Sequence, residues 1–166
     1  MKLEDLKTMG SFSEIEKVER KTVEMSIINM RYFADKIKKG FEFYQLNDKM
    51  EFAAQIAFDG IKQNLNDYVQ AFLDVVIVLC PGRIDSLRSA IRAFRSEFDL
   101  PYDLNRWTEF LIRRNDLIHD YFNYEFLNVE LENALHNYLD CATELIDFLE
   151  RELEAKNLMH REIRKK

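Results

Sequence analysis

Apolar residues recur along this chain at helical spacing from near its start to near its end. Ser13-x-x-Glu16 has the form of a capping box, and Ile15, Val18, Met25, Ile28, Tyr32 and Ile37 follow it with the rhythm of one helix face. Gly40 marks the neighbourhood where this first helix is expected to end. Asp48 is a candidate cap for a second helix whose stripe is Met50, Ala54, Ala57, Ile61, Leu65, Tyr68, Phe72, Val75 and Leu79. Phe52, Ile56, Phe58, Val76 and Ile77 lie off that stripe, so the second helix is expected to be the most buried, with Pro81-Gly82 ending it. A short helix with Leu87, Ile91, Phe94 and Phe98 on one side and Arg88, Arg92 and Arg95 on another comes next. Asp103 then stands where a cap is wanted for a fourth helix reaching about Phe122. The last stretch, Leu131, Leu135, Tyr138, Ala142, Leu145, Leu149 and Leu153, has a seven-residue repeat suited to a long helix packed along another. The pattern predicts an all-α protein, an antiparallel bundle of four to five helices forming one domain over residues 1–166 with an extended N-terminal helix.

Composition narrows this further. With only 4 Gly and 2 Pro in 166 residues, there are too few turn-formers for a many-stranded sandwich or barrel. Cys80 and Cys141 make neither a CxxC pair nor a disulfide framework, which points to a reducing compartment. The longest apolar run, Val75 to Cys80, is far below the ~18–20 residues of a membrane span, and Met1-Lys2-Leu3-Glu4-Asp5 does not resemble a signal peptide. The expectation is a cytoplasmic protein with no membrane partner.

Charge is unevenly spread. The formal net charge of −6 argues against a protein that coats nucleic acid over its whole surface. Between Arg83 and Arg114, however, seven arginines and no lysine stand against five acids, while Asn115 to Ala155 carries eleven acids against Arg151 alone. The guanidinium fork grips phosphate bidentately, so Arg88, Arg92, Arg95 and Arg113 are candidates for contacts to an RNA backbone. The competing expectation is that these arginines form ordinary surface bridges with the acidic segment.

The fourth helix holds the one break in the apolar rhythm. Its stripe runs Leu104, Trp107, Leu111 and then Ile118 and Phe122, and the turn between Leu111 and Ile118 places Arg114 and Asn115 where a hydrophobe belongs. An unpartnered guanidinium is too costly to bury, so this turn is exposed, paired, or part of a site. On a helix Asn115 and His119 share a face, Arg114 lies about 140° from His119 with Asn115 between, and Tyr121 returns to within about 20° of Arg114, about 10 Å along the axis. Arginine neutralises phosphate, histidine moves protons near neutral pH, and asparagine orients either group. Those capacities suffice to activate a 2′-hydroxyl, protonate a leaving oxygen and stabilise a phosphorane-like charge. HExxH, a second nearby histidine and a Cys/His cluster are all missing from this stretch, so neither metal nor cofactor is expected. A reaction wanting both an acid and a base would draw on two histidines if a twofold homodimer paired this helix with its symmetry mate. His136 and His160 have no motif around them.

Arg114-Asn115-Asp116-Leu117-Ile118-His119-Asp120-Tyr121 resembles the R-x4-H-x-Y signature of the HEPN superfamily, specifically its HepT-like group. The order of elements from about Lys49 to Glu125 is similar as well. The resemblance implies a helical bundle that dimerises around the motif and acts as a metal-independent endoribonuclease toxin, neutralised by a minimal nucleotidyltransferase antitoxin. It implies that Arg114 binds the scissile phosphate, His119 is the acid/base, Asn115 supports them, and Tyr121 accepts a nucleotidyl group from the antitoxin. Such a group would add negative charge close to Arg114. The superfamily also includes noncatalytic members, so the alternative expectation is a helical partner or substrate-binding subunit of a nucleotidyltransferase.

Overall fold

A computed structural model describes residues 12–80, 86–118 and 124–156, with side chains described from Arg20 to Cys80, Ser86 to Arg113 and Asn128 to Lys156. Six helices and no strand occur among them: α1 (Phe12–Leu46), α2 (Phe52–Leu79), α3 (Leu87–Glu97), α4 (Tyr102–Ile118), α5 (Tyr124–Tyr138) and α6 (Cys141–Ala155). The all-α expectation holds. No helix of the described residues is long and apolar enough to cross a membrane.

The frame is the hairpin of α1 and α2. On α1 the buried apolar residues are Val23, Ile27, Met30, Ala34, Ile37, Phe41 and Tyr44, alternating steps of four and three. On α2 the series Ala54, Phe58, Ile61, Leu65, Tyr68, Phe72, Val75 and Leu79 keeps the same alternation. Two seams with a period of 3.5 residues stay facing each other along their whole length, as in a coiled coil. Gly40 sits inside this seam rather than at the end of α1: a Cβ there would lie 3.0 Å from Ile61 Cγ1, so a hydrogen lets the two helices approach. The chain turns instead at Asn47–Glu51, where Asp48 Oδ1 accepts from the Met50 N–H (3.0 Å) and the Asp48 carbonyl accepts from the Glu51 N–H (2.9 Å). Asp48 therefore builds the turn, and Glu51 is the residue at the α2 cap.

Two features of the apolar pattern differ from the sequence expectation. Met25, Ile28 and Tyr32 are exposed, because the α1 seam is the stripe rotated away from them. Met50 in the turn and Phe52, Ile56 and Ile77 on α2 are also exposed, whereas Phe58 and Val76 are buried as expected.

The shorter helices close one face of this hairpin. Ser86 caps α3 through a reciprocal box, its Oγ accepting from the Ser89 N–H (3.1 Å) while Ser89 Oγ accepts from the Ser86 N–H (3.0 Å). Leu87, Ala90, Ile91 and Phe94 are its buried side, and Phe94 packs edge-on against Phe72 and Phe148. On α4 the buried residues are Leu104, Trp107, Thr108, Phe110 and Leu111. Asp103 falls in the first turn of α4, where its charge suits the positive end of the helix dipole.

The expected long last helix is two helices. At Leu139–Asp140 the bonding shifts to i+3 steps (Ala142 N–H to Leu139 O, 3.1 Å; Thr143 N–H to Asp140 O, 3.1 Å), and Asp140 keeps right-handed helical backbone angles. This tightened turn hardly redirects the side chains, so Leu131, Leu135, Ala142, Leu145, Leu149 and Leu153 all stay in the core with Tyr138 half-buried. The core is continuous from Val23 to Leu153.

Polar ties fix the outer helices. Tyr68, wholly buried, donates its hydroxyl to the Ala142 carbonyl (2.7 Å), joining α2 to α6. Arg31 on α1 reaches Glu150 Oε1 on α6 through Nε (3.0 Å) and Nη2 (2.6 Å), and Asp147 through Nη2 (3.0 Å). Lys38 reaches the Thr143 hydroxyl at 2.6 Å, one turn pair further along the same seam.

Candidate functional site

Arg114 and Asn115 belong to the helical backbone of α4, which runs unbroken from Tyr102 to Ile118. Their side chains lie outside the described residues, as do His119 and Tyr121 altogether. His160 also falls outside. What the structure describes is the preceding part of α4 and the surface on both of its flanks.

One flank faces α3. Arg92 and Arg95, with Asn105 of α4, line an open depression of about 350 Å³. Arg92 is exposed and has no ion-pair partner among the described residues, whereas Arg95 donates to Glu109 Oε1 at 3.2 Å. Arg88 is exposed one turn before Arg92 on the same helix. Three of the four arginines assigned to RNA contact by sequence thus share one helix face, and α3 packs against α4.

The other flank faces α5. Arg106 and Arg113 of α4, with Asn133, Asn137 and Tyr138 of α5, line a groove of about 200 Å³. Arg106 donates to Glu109 Oε2 at 3.2 Å, so Glu109 holds arginines on both flanks at once. Tyr138, Tyr102 and Glu109 hold the Arg106 pKa above its ordinary value. Arg113 lies 3.5 Å from Glu130 of α5. The expected alternative of bridges to the acidic segment is realised at Arg113, whereas Arg95 meets Glu109 within its own arginine-rich stretch. Arg106, Asn133, Asn137 and Tyr138 were not singled out by sequence; only the spacings i, i+7 for the arginines and i, i+4 for the asparagines hint that each pair shares a face.

Elsewhere the titratable groups read as structural. Burial, followed by the charge of Glu144, pushes the Cys141 thiol up to about 12, and burial raises Cys80. Neither is a thiolate near neutral pH, so neither is a ready nucleophile. His136 meets Gln45 through Nδ1 at 3.2 Å and stands edge-on to Phe41. Lys49 is paired with Glu132, which raises the lysine, and burial raises Tyr44 beside them. No group of three or more His, Cys, Asp and Glu side chains among the described residues is placed to share a metal ion.

Comparison with protein-family models, curated proteins and solved structures finds no match to this chain.

Proposed function

We propose that this protein is a metal-independent endoribonuclease of the HepT-like kind, acting as the toxin of a toxin–antitoxin pair. The observation that carries the reading is the R-x4-H-x-Y signature, Arg114 to Tyr121, which begins on an amphipathic helix among described residues that are all helical. The unbroken helix through Ile118 supports it, because Arg114 and Asn115 then follow the buried Trp107 and Leu111 at fixed angles. In this reading His119 takes the proton of the 2′-hydroxyl as it attacks the adjacent phosphorus. The 5′-oxygen leaves with a proton returned by a second imidazole, and Arg114 neutralises the charge gathered on the non-bridging oxygens. Asn115 orients the imidazole or the phosphate. A twofold homodimer supplies the second His119, and a minimal nucleotidyltransferase silences the site by placing a nucleotidyl group on Tyr121. In this reading Arg92, Arg95 and Arg113, which line the depressions on the two flanks of α4, and Arg88 on the same face of α3 engage the RNA backbone.

A second reading is favoured by the acids that already hold two of these arginines, Glu109 on Arg95 and Glu130 on Arg113. In it the chain is a noncatalytic partner or substrate-binding subunit of a nucleotidyltransferase. Incubating RNA with the antitoxin-free protein and with His119→Ala in excess EDTA decides between them. The nuclease reading expects cleavage by the first alone. Equal cleavage by both, or none by either, refutes it.

A further inference from the structure

The groove between α4 and α5 carries chemistry that the backbone-gripping arginines leave unused. Asn133 and Asn137 are both exposed and stand one helical turn apart on α5. Neither amide has a hydrogen-bond partner among the described residues. Each offers two donors and an acceptor, the complement of a nucleobase edge. Opposite them, Arg106 and Arg113 are separated by two turns of α4, about 10 Å along its axis. The space of about 200 Å³ between the two walls, floored by Phe110 and Ala134, suits one planar group with an apolar face and a polar edge.

We propose that this groove is a nucleobase subsite for single-stranded RNA. Asn133 and Asn137 take the hydrogen-bonding edge of one unpaired base, and Arg106 and Arg113 meet the phosphates on either side of it. The base must be unpaired, because pairing occupies the edge that the asparagines read. Glu109 and Glu130 act as brakes: their pairings with Arg106 and Arg113 must be exchanged for phosphate as RNA binds, which keeps nonspecific affinity for polyanions low. The proposal rests on RNA being the substrate, and it adds a position in the fold that selects one nucleotide near the cut.

The test measures binding of a short, labelled, mixed-sequence single-stranded RNA to full-length protein carrying His119→Ala, so that the ligand survives. A second ligand is an abasic ribose-phosphate oligomer of the same length. Adding Asn133→Ala with Asn137→Ala should weaken RNA binding about tenfold or more and leave the abasic oligomer unaffected. Both side chains are exposed, so the fold is expected to persist, and an unchanged circular dichroism spectrum checks this. Glu130→Gln should tighten both ligands severalfold. Equal losses for both ligands, no loss for RNA, or no RNA binding by the parent overturns the subsite. Asparagine-dependent binding in a protein whose wild type cuts no RNA overturns the nuclease reading alone. Cleavage by wild type with binding indifferent to the asparagines overturns the subsite alone.

Discussion

Replacing Arg31 by methionine tests the account of how α6 is held to the hairpin. The Glu150 side chain is 0% exposed and Arg31 is 30% exposed, and two guanidinium nitrogens converge on the one oxygen Glu150 Oε1. Arg31→Met strips this charge from a carboxylate that cannot reach water without opening the α1–α6 seam. Breaking a buried ion pair from one side costs ~3–5 kcal/mol, and the partial exposure of Arg31 places this case at the low end, about 3 kcal/mol. Asp147 also loses a partner, but it is 49% exposed and adds little. In a domain of this size that loss lowers Tm by about 6–12 °C. The double variant Arg31→Met with Glu150→Met removes the buried carboxylate as well and replaces both groups with apolar volume. It should return to within about 1 kcal/mol of wild type. Urea titrations of the four proteins, compared at constant m, give the cycle directly. A single variant costing less than about 1 kcal/mol, or a double variant as unstable as the single, would mean that the Arg31–Glu150 pair does not hold α6 to the hairpin.

Further outcomes follow from the same packing. Gly60→Ala should stabilise by about 0.5–1 kcal/mol, since nothing lies within 4 Å of the added methyl, whereas Gly40→Ala should lose that gain to the Ile61 contact; thermal melts distinguish them. Trp107→Ala should cost ~3–5 kcal/mol in urea titration, because Trp107 is among the largest wholly buried side chains. Cys141 titrates at about 12 in the folded chain, well above its unfolded value, so its contribution is whole below the unfolded pKa and is lost as pH rises through the folded one. Stability should therefore fall between about pH 9 and pH 12, less steeply in Cys141→Ala, and alkylation of Cys141 at pH 8 should wait on unfolding. RNA binding should weaken steeply with salt, and Arg92→Ala should reduce the salt slope by about one.

The bundle is legible in the sequence wherever a stripe has a single apolar solution. On α2 the series from Ile61 to Leu79 is such a case, although Phe58 rather than Ala57 takes the seam before it, and so is the repeat from Leu131 to Leu153. On α1 two apolar stripes compete. Met25, Ile28 and Tyr32 look as hydrophobic as Val23, Ile27 and Met30, and only the position of α2 selects between them. Gly40 reads as a helix end by its conformational freedom, yet its smallness is what α2 requires of it. The interruption at Leu139–Asp140 carries neither glycine nor proline, and its backbone stays near helical, so no residue announces it. Of the candidate site, the break of pattern at Arg114 and Asn115 is visible as a polar pair in an apolar rhythm. The groove beside it is not, because Asn133 and Asn137 gain meaning only once α5 lies against Arg106 and Arg113.

The proposed pairing of one histidine from each of two protomers in a shared cleft is open to subunit mixing. Wild type and His119→Ala are co-refolded in equal amounts, and RNA cleavage is measured in EDTA at constant total protein. If both imidazoles of a dimer are needed, activity follows the square of the wild-type fraction and falls to about one quarter. A fall to only about one half would mean that each subunit works alone, contrary to the account.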